Sequence, residues 1–75
     1  MKIKQLKNQD LVGIKVKIPK KFQDDYQGIK GQMFIFSWWA QGVWFKKSLT
    51  ASRIYPLSMN PKELLNFEVV NEDKV

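Results

Sequence analysis

Residues 32–47, QMFIFSWWAQGVWFKK, decide the fold that the sequence predicts. They contain all three tryptophans and three of the five phenylalanines of the chain. Aromatic and β-branched side chains favour extended backbone because they fit a pleated, half-buried surface. The polar break Ala40-Gln41-Gly42 separates two apolar runs, and Gly42 can take a positive φ at little steric cost. The stretch therefore predicts a β-hairpin with its turn at Gln41-Gly42.

Alternation along the two predicted strands assigns the hairpin side chains to two faces, because successive residues of a strand point to opposite sides. With the turn at Gln41-Gly42, Trp39 pairs with Trp44. The more uniformly apolar face is predicted to be the core, and it comprises Phe34, Phe36, Trp38, Val43 and Phe45. The opposite face then carries Met33, Ile35, Ser37, Trp39, Trp44 and Lys46.

Residues 11–30 predict a strand followed by a long polar loop. The strand shows a period of two over residues 11–18, with Ile14, Val16 and Ile18 inward and Lys15 and Lys17 outward. Pro19 ends it because proline cannot donate to a ladder. The loop over residues 20–30 is expected to be pinned to the core by its large apolar groups, which are Phe22, Tyr26 and Ile29.

The C-terminal third predicts a short strand over residues 53–57, with Ile54 inward and Arg53 and Tyr55 outward. Asn60 can cap a helical turn over residues 61–65, and Pro61 suits its first position. Residues 67–70 predict the last strand. Residues 1–10 are expected to form a loosely ordered N-terminal segment and residues 71–75 a C-terminal tail, since chain ends are usually loosely held.

The order of these elements resembles that of small SH3-like barrels, including the KOW and Tudor-like groups. The resemblance covers residues 11–70 and is carried by VGIKVKI, by YQGIKGQMFI and by PKELL before FEVV. It implies an all-β fold, a five-stranded SH3-like barrel with one short 3₁₀ or helical turn before the last strand. It brings no catalytic or ligand motif, and the Trp38-Trp39 pair is not a standard mark of the family.

The composition of this single 75-residue domain excludes several kinds of chemistry. There is no cysteine and no histidine, so disulfides, thiolate or histidine metal sites and histidine-based catalysis are ruled out. The seven carboxylates form no pattern of paired acid and base, and we expect neither enzymatic activity nor a cofactor nor a metal. The lack of cysteine, of a signal-like segment and of a long apolar run leads us to expect a cytoplasmic protein without a membrane association.

The charge is clearly unbalanced, with thirteen basic and seven acidic residues and a net charge of +6. A basic domain attracts polyanions. The parity assignment gathers cations and aromatic rings into one outward set, which comprises Lys15, Lys17, Trp39, Trp44, Lys46, Arg53 and Tyr55. Lysine and arginine neutralise phosphates, and aromatic rings stack on unpaired bases. The sequence therefore favours a non-catalytic module that binds nucleic acid, either DNA or RNA.

Two other interpretations stay open at this point. Trp39 and Trp44 can simply cover each other and close one end of the core, as a cross-strand aromatic pair does, while the surplus lysines serve solubility. Alternatively, exposed Trp, Tyr and Arg are typical of protein interfaces. The chain would then be a protein-interaction module, for example an accessory or inhibitor protein of a bacterial or mobile-element genome, acting as a monomer or weak dimer.

Overall fold

A computed structural model describes residues 1–6 and 11–70, and its main feature is a five-stranded antiparallel sheet. The strands are β1 (Lys15–Lys17), β2 (Gln32–Trp39), β3 (Gly42–Lys46), β4 (Tyr55–Ser58) and β5 (Glu68–Val69). Their spatial order is β4-β3-β2-β1-β5. Short 3₁₀ helices span Ile3–Gln5 and Lys20–Phe22, and one helical turn, α1 (Pro61–Leu64), precedes β5. The predicted mostly-β class, the five strands and the helical turn before the last strand are confirmed.

Pairing between the described residues does not close this sheet into a barrel, because β4 and β5 lie at its two ends. The N-terminal residues form backbone hydrogen bonds with β5 and the residue before it, at that edge of the sheet. The Val69 amide donates to the Met1 carbonyl at 2.7 Å, and the Ile3 amide donates to the Phe67 carbonyl at 3.0 Å. None of the helices in residues 1–6 and 11–70 is long and apolar enough to span a membrane.

Helical turn α1 begins as the sequence predicts. The Asn60 side chain accepts a hydrogen bond from the Lys62 amide at 2.9 Å, which satisfies one of the donors that a helix start leaves without an intrahelical partner. Pro61 occupies the first helical position, where a missing amide proton costs nothing. Leu64 of this turn is buried, so α1 is held to the core by its apolar side chain.

The hairpin forms where the sequence predicts it, but its turn lies one residue earlier. Trp39 pairs with Gly42, so the two turn residues are Ala40 and Gln41 rather than Gln41 and Gly42. Gly42 does not have a positive φ, so the turn conformation does not require a glycine at this position. Trp38, which was predicted to lie in the core, is 48% exposed at the end of the hairpin.

A β-bulge in β2 reverses the predicted faces. The register between β2 and β3 shifts between Ile35 and Ser37, which leaves Phe36 as the extra residue. An extra residue breaks the alternation of side chains along a strand. Met33 and Ile35 are fully buried, whereas Phe34 is half-buried and Phe36 is exposed. The prediction that placed Phe34 and Phe36 in the core and Met33 and Ile35 outside was therefore wrong.

The side chains of β4 also point to the faces opposite to those predicted. Tyr55 pairs with Phe45, and directly paired residues point to the same face of a sheet. Because Phe45 is in the core, Tyr55 is as well, with 7% of its surface exposed, while Ile54 is exposed. The prediction of Tyr55 outward and Ile54 inward was wrong. Pro56 lies within β4.

The core is one cluster of apolar side chains on one side of the sheet. It includes the predicted inward residues of the first strand, and its members are Ile3, Leu6, Leu11, Ile14, Val16, Ile18, Ile29, Met33, Ile35, Val43, Phe45, Tyr55, Met59, Leu64, Phe67 and Val69. Phe22 packs against this cluster, but Tyr26 is 98% exposed and does not pin its loop as predicted.

The two chain ends were predicted to be loosely held. Within the N-terminal segment, residues 1–6 are packed, since Ile3 and Leu6 belong to the core. Residues 7–10 and the predicted tail, 71–75, lie outside the described part of the chain.

Candidate nucleic-acid interface

The side of the sheet that points away from the core carries lysines and aromatic rings next to one another. Strand pairing places on this side two lysines of β1, aromatic residues of β2, and a tryptophan and a lysine of β3. We use the name outer face for this set, which comprises Lys15, Lys17, Phe34, Phe36, Trp39, Trp44 and Lys46.

One row of the outer face crosses three strands. Lys15 pairs with Phe34, and Phe34 pairs with Lys46, so the three side chains lie side by side. The Lys15 Nζ is 5.4 Å from the ring centroid of Phe34, and the Lys46 Nζ is 4.2 Å from that of Phe36. Such a cation–π contact is worth roughly 0.5–1 kcal/mol at an exposed site. The two ammonium groups are thus held over the sheet.

The two tryptophans of the outer face pack against each other. The ring centroids of Trp39 and Trp44 are 5.2 Å apart, with 41° between the ring planes. Gly42 leaves room for this arrangement, because a Cβ atom there would lie 2.7 Å from Cζ2 of Trp39. Trp39 is half-buried and Trp44 keeps 37% of its surface exposed. The pair therefore stabilises the hairpin without being enclosed in the core.

The charge of the outer face is positive. It carries three lysines, and Glu68 is the only acidic residue in the five described strands. Glu68 pairs with Lys17 across β1 and β5, and its Oε2 atom is 3.4 Å from the N-terminal ammonium of Met1. The only carboxylate of the described strands is thus at the β5 edge of the sheet, opposite Lys17 and outside the row formed by Lys15, Phe34 and Lys46.

A shallow cleft lies beside Lys17 where β1 ends. Its volume is about 380 Å³, and it is lined by Lys17, Ile18, Pro19, Lys20, Gln23, Asn66 and Glu68. The described residues contain no group of three or more His, Cys, Asp and Glu side chains that could hold a metal ion.

Five of the seven predicted site residues share the outer face, and two do not. Lys15, Lys17, Trp39, Trp44 and Lys46 lie together. The other two, Arg53 and Tyr55, are on the core side of the sheet. Tyr55 is buried, and the guanidinium carbon of Arg53 is 4.9 Å from the ring centroid of Tyr55.

Sequence reasoning missed two members of the outer face, Phe34 and Phe36. Their place depends on the bulge, because strict alternation through β2 cannot put Phe36 and Trp39 on the same side. Both runs of the hairpin are apolar on both faces, so the pattern of residues contains no signal for that bulge.

No protein-family model, no curated protein and no solved structure matches this chain.

Proposed function

We propose that this chain is a non-catalytic module that binds single-stranded nucleic acid on its outer face. The observation that carries the proposal is the row in which Lys15 and Lys46 flank Phe34 across three strands, with Trp44 exposed beside it. Cationic heads next to flat aromatic rings are the combination that a strand of phosphates and unpaired bases requires.

The three lysines supply the contact to the phosphates. Each neutralised phosphate of a single strand releases counterions, so the logarithm of the affinity falls with the logarithm of salt concentration by about 0.7 per contact. Contacts from Lys15, Lys17 and Lys46 predict a slope of about −2. This slope is a signature that an apolar interface would not show.

Trp44 supplies the contact to a base. Stacking of one base on an aromatic side chain is worth roughly 1–3 kcal/mol. In a duplex the bases are stacked on each other, so this contribution is available only to a single strand. We therefore expect a single-stranded oligonucleotide to bind more tightly than a duplex of the same sequence.

The test is a titration of the intrinsic tryptophan fluorescence with single-stranded and duplex oligonucleotides at several salt concentrations. We expect quenching, tighter binding of the single strand and a slope near −2. K15Q/K46Q should reduce the slope to about −0.7, since one of the three contacts is left. The matched control is K20Q/K62Q, which removes the same charge from exposed positions outside the outer face.

A second pair of variants tests stacking. W44A should weaken binding by roughly 1–3 kcal/mol, while W38A should not, because Trp38 is on the core side of the hairpin although it is more exposed than Trp44. The proposal is refuted by an absence of salt-dependent binding at low ionic strength. Equal losses in K15Q/K46Q and K20Q/K62Q would also refute it.

Protein binding is the second candidate function, and one observation favours it. Trp38 and Leu49 are exposed large apolar side chains outside the outer face, and an exposed tryptophan is typical of a binding hot spot. Capture of partners from a lysate with and without nuclease separates the two functions. Partners that survive nuclease and are lost in W38A would support protein binding.

We also propose that the sheet is the sheet of an SH3-like barrel. The order of elements, the helical turn before β5 and the bulge at Phe36 support this, because bulges bend a strand where a barrel turns a corner. Amide NMR tests it, since cross-strand contacts between the two ends of the sheet would show closure and their absence would contradict it.

A further inference from the structure

Two cationic side chains converge on one buried ring at the end of the sheet where β3 stops and β4 starts. The Lys47 Nζ is 5.4 Å and the Arg53 Cζ is 4.9 Å from the ring centroid of Tyr55. Tyr55 itself is 93% buried, so the ring is a fixed platform. We call this group the Tyr55 cluster, and it consists of Lys47, Arg53 and Tyr55.

The local sequence explains why these groups meet. Lys47 directly follows the last residue of β3, and Arg53 is two residues before the first residue of β4. The pairing of Phe45 with Tyr55 brings both ends together. The loop before β2 reaches the same place, because a Cβ atom on Gly28 would lie 3.1 Å from Cε2 of Tyr55 and 3.7 Å from the Lys47 Nζ. Gly28 has a φ of 87°, which glycine adopts without strain.

The two cations have no carboxylate partner within the described residues. The ion pairs there join other groups, and neither Lys47 nor Arg53 takes part in one. The acids of the nearby loop are engaged elsewhere: Asp25 pairs with Lys30 at 3.8 Å, and Asp24 accepts hydrogen bonds from backbone amides of its own turn. Both cations lie within about one Debye length, ~10 Å, of each other, so their potentials add.

We propose that the Tyr55 cluster is a binding site for a phosphate group. Arg53 offers a planar fork that matches two phosphate oxygens, and Lys47 adds a point charge with rotatable donors. A dianion relieves the repulsion between the two cations, which a single chloride relieves only in part. The site is on the core side of the sheet and does not depend on the outer face. The phosphate can be a free ion or the terminal phosphate of a strand, and the chemistry of recognition is the same for both.

The test is an ¹⁵N NMR titration with inorganic phosphate, with sodium chloride at equal ionic strength as reference. We expect saturable shifts at the Gly28 amide, at the Lys47 amide and at the Arg53 Nε–H. K47Q/R53Q should weaken phosphate binding at least about tenfold, because charge-assisted hydrogen bonds to the anion are lost. K47R keeps both charges and the fork of Arg53 and should retain binding. A ¹⁵N spectrum of K47Q/R53Q without phosphate that matches the wild-type spectrum away from the two substituted positions shows that its loss of binding is not caused by misfolding.

Two control variants complete the design. K20Q/K62Q removes the same charge elsewhere, and K15Q/K46Q removes it from the outer face; neither should change phosphate binding. Equal weakening in K20Q/K62Q, or shifts no larger than those with chloride, would overturn the proposal. An oligonucleotide with and without a 5′-phosphate distinguishes the sources: a gain from the 5′-phosphate that K47Q/R53Q abolishes assigns the site to a strand end, and phosphate binding without that gain assigns it to the free ion.

Discussion

Replacing Gly42 with alanine tests the packing that forms the tryptophan pair of the outer face. A Cβ atom at this position would lie 2.5 Å from the Leu57 carbonyl oxygen and 2.7 Å from Cζ2 of Trp39. The carbonyl belongs to β4 and cannot move without disturbing its pairing with β3. Overpacking of this kind costs typically about 1–3 kcal/mol. The lower entropy of the unfolded alanine chain offsets roughly 0.4–1 kcal/mol of that cost.

The expected net loss is therefore about 1–2 kcal/mol in the free energy of unfolding. For a domain of this size each kcal/mol lowers the Tm by about 4–8 °C, so thermal unfolding followed by circular dichroism should show a decrease of roughly 4–16 °C. Backbone strain does not contribute, since the φ of Gly42 is not positive.

A double-mutant cycle with W39A separates the two contacts. In the W39A background the indole is absent, and G42A should cost less, because only the contact with the Leu57 carbonyl is left. A G42A protein with unchanged Tm would refute the packing described here. Equal costs of G42A in both backgrounds would show that Trp39 does not lie over Gly42.

Three further substitutions test the core, the helix cap and the surface. F45A removes a fully buried ring next to the centre of the core and should cost about 3–5 kcal/mol, measured by urea unfolding; a loss below 1 kcal/mol would contradict its burial. N60A removes the acceptor of the Lys62 amide and should cost about 1 kcal/mol, whereas N60D should retain most of the stability, and a harmless N60A would argue against the cap. K21Q breaks the 2.9 Å ion pair with Glu63, but both side chains are largely exposed, so we expect a change of at most about 1 kcal/mol at low salt. A larger loss that persists at high salt would be inconsistent with a surface pair.

Local sequence patterns predicted an element correctly where the pattern is compatible with only one structure. In β1 only one face is apolar, so the period of two assigns Val16 inward and Lys17 outward without ambiguity. The helical turn α1 is determined by Asn60 and Pro61, because a cap and a preset φ act within a few residues.

The candidate site was only partly predictable, because its composition depends on register. Lys15, Trp39, Trp44 and Lys46 were placed together correctly, but Tyr55 was placed on the wrong side. Both faces of β4 carry large side chains, so alternation alone allows two orientations that differ by one residue. The pairing of Tyr55 with Phe45 on β3 determines which orientation forms. This pairing joins residues that are distant in the sequence, so a local pattern does not predict it.

By itself the sequence determined the five strands, the helical turn α1 and the lack of cysteine and histidine chemistry, since propensity, capping and composition are properties of neighbouring residues. Tertiary structure alone decided which aromatic rings point to solvent. The bulge at Phe36 buries Met33 and Ile35 and turns Phe34 outward, and it exists because strand pairing has to satisfy the core and the hairpin turn at once. The Tyr55 cluster arises in the same way, from the ends of two strands and a loop that only the folded sheet brings together.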